Sequence, residues 1–127
     1  MGALEWLRAL ALGLAALIHL LPLSGVLGGE RLQALYGLRV DEPNLALLLQ
    51  HRAVLFGLLG LALLIAALRP TWQAPAIAAG LVSTLSFLLL AWSLGGLNPA
   101  LQRVVTADIV AIAALLLAAG TLLFRPA

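Results

Sequence analysis

Cysteine and lysine are both missing from this chain of 127 residues, and charged side chains occupy only 9% of its positions. Without cysteine there can be no disulfide, no thiolate metal site, no thiol nucleophile and no cysteine-held iron–sulfur cluster. The seven basic residues are all arginine and lie singly along the chain, so they form no clustered basic face for nucleic acid. No glycine-rich phosphate loop joins a strand to a helix. Ser83, Thr84, Ser86 and Ser93 sit in no nucleophile motif, and in apolar helices such side chains usually serve helix association. What is abundant is apolar surface: 64% of residues are hydrophobic, which excludes an ordinary water-soluble domain and leaves room for one membrane domain.

The hydrocarbon layer is about 30 Å thick and a helix rises about 1.5 Å per residue, so a span needs about 20 mainly apolar residues. Four stretches meet this, at residues 4–27, 45–68, 75–94 and 99–124. They predict an all-α membrane four-helix bundle. Pro43 and Asn44 precede the second span, Pro75 suits the first turn of the third, and Asn98 and Pro99 open the fourth. The first stretch reads as a retained helix rather than a cleaved signal. It carries Glu5 beside Arg8 instead of a basic run, its apolar core is long, and no small-x-small site follows.

Residues 28–44 form the one sizeable loop. Leu32, Leu35 and Tyr36 share a helical face there, with Glu30, Arg31 and Gln33 on others, so the segment reads either as a short interfacial helix or as an ordinary loop. Arg8, Arg69 and Arg125 flank the spans on the side of both termini, against Arg31 and Arg39 in the opposite loops. That weak excess places both termini in the cytoplasm.

Small residues allow close helix approach in lipid. Ala100, Ala107, Ala111, Ala114 and Ala118 form a stripe, and Ala53 with Gly57 and Ala76 with Gly80 repeat the four-residue step. Leu27-Gly28-Gly29, Gln50-His51-Arg52 and Arg69-Pro70 are echoed by Leu94-Gly95-Gly96, Gln102-Arg103 and Arg125-Pro126, the pattern of two related helical hairpins.

Ionisable groups inside a span are costly, so they face the bundle interior and find partners. Counting residues from the helix ends brings His19, His51, Arg52 and Asp108 to a common depth in one leaflet. An Arg52–Asp108 ion pair completed by a histidine is the simplest arrangement, with Pro22 leaving the Ile18 carbonyl free beside His19. Glu30, Arg31, Gln50 and Arg103, with Asp41 and Glu42, would form a wetter layer nearer the surface. Such a cluster either fixes helix register or lines a site for a small molecule, ion or proton. Two histidines on facing helices are also the ligand set of haem b, which makes His19 and His51 its candidate ligands.

Leu35-Tyr36-Gly37-Leu38, Asp41-Glu42-Pro43-Asn44 and Gln50-His51-Arg52-Ala53-Val54-Leu55-Phe56-Gly57 resemble the DoxX-like family of small four-helix bacterial inner-membrane proteins. The resemblance implies a bacterial membrane bundle, with another membrane subunit or a second copy as its partner besides the lipid bilayer. Many relatives have no assigned activity, and the name-giving kind is associated with a membrane subunit of a quinone-linked sulfur-oxidising enzyme. The leading expectation is a non-enzymatic accessory or ligand-binding bundle. A redox subunit handling haem or quinone and a proton-coupled small transporter are the alternatives.

Overall fold

A computed structural model describes residues 2–124, and Arg125 and Pro126, the expected flank of the fourth span, lie outside them. The described chain is helical throughout, with no strand: α1 (Ala3–Leu20), a 3-10 segment (Leu21–Leu27), α2 (Gly29–Tyr36), α3 (Pro43–Leu68), α4 (Pro70–Leu94) and α5 (Pro99–Leu123). The first span, Ala3–Leu27, combines α1 with the 3-10 segment, while α3, α4 and α5 are the other three; each has 25 or 26 residues. At about 1.5 Å per residue each is nearly 40 Å long, more than the hydrocarbon thickness. The chain is a small multi-pass membrane protein.

Proline sets three of the helix starts, and a side-chain acceptor caps two of them. Pro43, Pro70 and Pro99 each occupy the first helical position, where a missing N–H costs nothing. The Glu42 carboxylate accepts from the amides of Asn44 (3.0 Å) and Leu45 (2.9 Å), and Asn98 Oδ1 accepts from the Leu101 amide at 2.8 Å. The third span was expected to begin near Pro75, but α4 starts at Pro70 and Pro75 lies inside it. Pro75 removes only the bond to the Thr71 carbonyl, and Thr71 is exposed at the helix end, where water or a headgroup can replace the lost donor.

The four spans form a ring in which α1 packs on α3 and α5, and α4 packs on the same two. Chain direction alternates, so every neighbouring pair is antiparallel. Small residues line these contacts. A methyl group on Gly60 would fall 2.7 Å from Leu20 Cγ and 3.2 Å from the Ala16 carbonyl oxygen, so α1 and α3 approach each other at backbone distance. Ala100, Ala111, Ala114 and Ala118 of the expected stripe are buried, and Ala107 is half-buried.

Residues 28–44 contain the short surface helix. Leu32 and Tyr36 of α2 are buried, while Glu30, Arg31 and Gln33 are exposed. Gly37 ends α2 in the left-handed region (φ 66°), its amide bonding to the Gln33 carbonyl at 2.7 Å. Asn98 Nδ2 donates to the Tyr36 carbonyl at 2.9 Å, so the cap of α5 also anchors α2. Trp6 and Trp72 are exposed at one end of the bundle and Trp92 at the other. Trp72 and Trp92 are both in α4, about 30 Å apart along its axis, which matches the spacing of two aromatic interfaces.

Candidate functional site

Proline opens a cavity near the end of the bundle that carries α2. Pro22 cannot donate to the Ile18 carbonyl, and from Leu21 the first span tightens into 3-10 geometry. The departure from a regular helix lies beside a cavity of about 220 Å³. Ile18, Leu21 and Pro22 form one wall, Ala34 and Leu35 of α2 the roof, Arg52 and Phe56 a second wall, and Arg103 and Asp108 of α5 contribute the remaining charges.

Arg52 is held mainly by aromatic rings. Its guanidinium carbon lies 4.3 Å from the Phe56 ring centre, 5.3 Å from that of Tyr36 and 5.6 Å from that of Phe87. Its Nη1 donates to Tyr36 Oη at 2.6 Å. The chain has three phenylalanines and one tyrosine, so three of those four rings surround this one cation. Rings supply an attractive face without giving up the charge, which suits a guanidinium in a weakly polar setting.

The expected ion pair is not formed directly. Among the described residues the one carboxylate–cation contact within 4 Å is Arg39–Asp41, at 2.5 Å and largely exposed. Asp108 is 5% exposed, lines the same cavity as Arg52, and receives no hydrogen bond from the described residues. The two opposite charges therefore share the cavity without contact.

The two histidines go to different places. His19 is 1% exposed; its Nδ1–H donates to the Ala15 carbonyl at 2.8 Å, its ring stacks on Phe56 at 5.6 Å, and Nε2 has no partner. His51 is exposed and lines a second cavity of about 320 Å³ with Leu48, Leu55, Leu59 and Ser83. Arg52 and Phe56 line both cavities and thus separate them. Neither of these two cavities is lined by both imidazoles. No cluster of three or more His, Asp or Glu able to hold a metal occurs among the described residues.

The expected second layer is dispersed. Glu30 and Arg31 are exposed, Gln50 Nε2 donates to the Val26 carbonyl at 3.3 Å, and Arg103 stands at the rim of the smaller cavity. Asp41 turns to Arg39 and Glu42 caps α3. The two helix-start amides and the Asn44 side chain hold the Glu42 carboxyl below its ordinary value.

The opposite end of the bundle holds a second polar network. Arg8 was counted as a flanking arginine, but it is 5% exposed. Its Nε donates to Thr121 Oγ1 and its Nη2 to the Thr121 carbonyl, both at 2.9 Å, and its Nη1 donates to Gln73 Oε1 at 3.2 Å. Gln73 Nε2 in turn donates to the Ala66 carbonyl at 3.1 Å. Thr121 and Ala66 lie in the last turns of α5 and α3, whose carbonyls have no helical partner. A cation there also meets the negative ends of two helix dipoles.

No family model, no curated protein and no solved structure matches this chain.

Proposed function

We propose that this chain is a DoxX-like bacterial inner-membrane protein that acts as an accessory or ligand-binding bundle, taking a small amphiphilic molecule into the cavity between the 3-10 segment, α2 and α5. The observation that carries this reading is Asp108, a residue 5% exposed whose carboxyl receives no hydrogen bond from the described residues and is reached from the same cavity as the aromatic-caged Arg52. A buried polar group ordinarily finds a partner, and a molecule carrying both an acceptor and a donor would serve the two at once. Two further features support it. Leu21, Ala34 and Arg103, all exposed, border the cavity, so it opens toward the lipid and headgroup side. Tyr36, Arg52 and Phe56 all fall within the stretch that resembles the DoxX-like family.

Gentle extraction followed by identification of copurifying small molecules tests the proposal. The wild-type protein is expected to carry an amphiphile that Asp108→Ala and Arg52→Ala each lose while remaining folded. Retention of the same molecules by both variants would refute the site. The double variant adds a check on charge balance: Arg52→Ala with Asp108→Ala should be better tolerated than Arg52→Ala alone, because no stranded carboxylate remains.

A further inference from the structure

Resting on the reading above, we infer that the head this cavity takes is a carboxyl group, so that the bound molecule is an alkyl carboxylic acid. Phe56 covers a face of the guanidinium, and Tyr36 and Phe87 stand beside it. What remains for hydrogen bonding is the planar edge. One of its five N–H groups goes to Tyr36 Oη, and no other Arg52 bond is formed among the described residues. A planar fork of donors is matched best by a group presenting two oxygens.

Asp108 then decides between head groups. A carboxylate on Arg52 faces Asp108 as a second carboxyl, and two such groups can share one proton. One guanidinium and a carboxyl pair with a single negative charge leave the inner cavity neutral, as a low dielectric favours. A phosphodiester is a far weaker base than a carboxylate, so the proton would stay on Asp108 alone and no evenly shared pair would form. An alkylammonium head would satisfy Asp108 but add a cation beside Arg52. A hydroxyl would bridge the two groups but leave most of the donor edge unused.

Size and access agree with this choice. The volume of about 220 Å³ lies below the ~300–1,000 Å³ of pockets that enclose a whole drug-sized ligand. It accommodates the head and first methylenes, and the rest of a chain would run past the exposed Leu21 into lipid. Arg103 lies on α5 five residues, or about 7 to 8 Å, nearer the helix start than Asp108, where its charge draws an anion to the rim.

Equilibrium binding of radiolabelled dodecanoic acid, dodecanol, dodecylamine and methyl dodecyl phosphate, a single-chain phosphodiester, to the delipidated full chain in a non-ionic micelle tests the inference. Dodecanoic acid is expected to saturate at one per chain and to bind at least about tenfold more tightly than the other three, consistent with the strength of a charge-assisted fork. Arg52→Lys should weaken the acid by about tenfold, because the point charge lacks the fork. Asp108→Asn should preserve acid binding, since its amide supplies permanently the hydrogen that the shared proton supplied. Equal binding of dodecanol, or tighter binding of dodecylamine with loss in Asp108→Asn, would overturn the carboxyl assignment while leaving the cavity as an amphiphile site. Saturable binding of none of the four would overturn both readings. The four-ligand comparison uses the unmodified protein, so it stands even where a variant fails to fold.

Discussion

Arg8 offers the sharpest test of the physical account, because a buried guanidinium without an acid partner can be either a stabiliser or a burden. Arg8→Met keeps an unbranched apolar stem, two atoms shorter than arginine, and removes all three of its hydrogen bonds, to Thr121 Oγ1, the Thr121 carbonyl and Gln73 Oε1. On the scale for water-soluble proteins, where a bond to a charged group contributes about 1.5–3 kcal/mol, the loss would be roughly 5–9 kcal/mol. The bilayer scale is the relevant one, because an unfolded helix in lipid finds other partners, and interhelical bonds there average about 0.6 kcal/mol. Three bonds then give about 2 kcal/mol. Reversible unfolding in mixed micelles should show Arg8→Met destabilised by about this amount. Thr121→Val, which removes only Oγ1, should couple to Arg8→Met by about 0.6 kcal/mol in a double-mutant cycle. If Arg8→Met is as stable as the native protein and the coupling is zero, the C-terminal carbonyls of α3 and α5 do not need this cation and the network is merely tolerated.

Two further predictions concern the fold. Gly60→Ala should destabilise the bundle by about 1–3 kcal/mol, because its methyl would press on Leu20 and on the Ala16 carbonyl; Gly13→Ala, with nothing within 4 Å, should be neutral or stabilising. Equal effects in the same micelle unfolding assay would disprove the close α1–α3 approach. Glu42 predicts a dependence on pH. Its carboxyl is held below the ordinary value of 4.5 only in the folded chain, so its stabilisation is full above that value and declines as the pH falls through the lowered one. Amide exchange at Asn44 and Leu45, corrected for its intrinsic pH dependence, should lose protection over that acid range in the native chain. Glu42→Gln should flatten the dependence, and an unchanged profile would refute the cap.

The four spans, the amphipathic surface helix and the proline and asparagine starts were legible because each rests on a local pattern of apolar length, periodicity or capping chemistry. The shared depth of Arg52 and Asp108 was legible too, since depth follows from counting residues along a helix. Lateral position was not. His51 and Arg52 are consecutive and thus at nearly one depth, but successive residues turn about 100° around a helix axis. One faces the caged site and the other the outer groove. Phe56, four residues after Arg52 on α3, is the one ring that helical spacing marks as a neighbour, whereas Tyr36 and Phe87 come from α2 and α4 and nothing local marks them. Arg8 was misread for a similar reason: its acceptors lie 65 and 113 residues away, and the orphan carbonyls that attract it appear only once α3 and α5 end beside it. Pro75 misplaced the start of α4 because a proline within the first two turns reads as a boundary, although an exposed carbonyl makes it inexpensive.

One junction gives the bundle unequal compliance. Arg69 alone separates α3 from α4, whereas the segment between the first span and α3 runs from Gly28 to Glu42. A single connecting residue couples the rotation of α3 to that of α4, so Arg52 and Phe56 ride on the stiff half of the molecule. The wall made by Ile18, Leu21 and Pro22 and the α2 roof belong to the half with the longer tether. Any widening between α2 and that hairpin must therefore break the Arg52–Tyr36 Oη bond, which ties the roof of the cavity directly to α3.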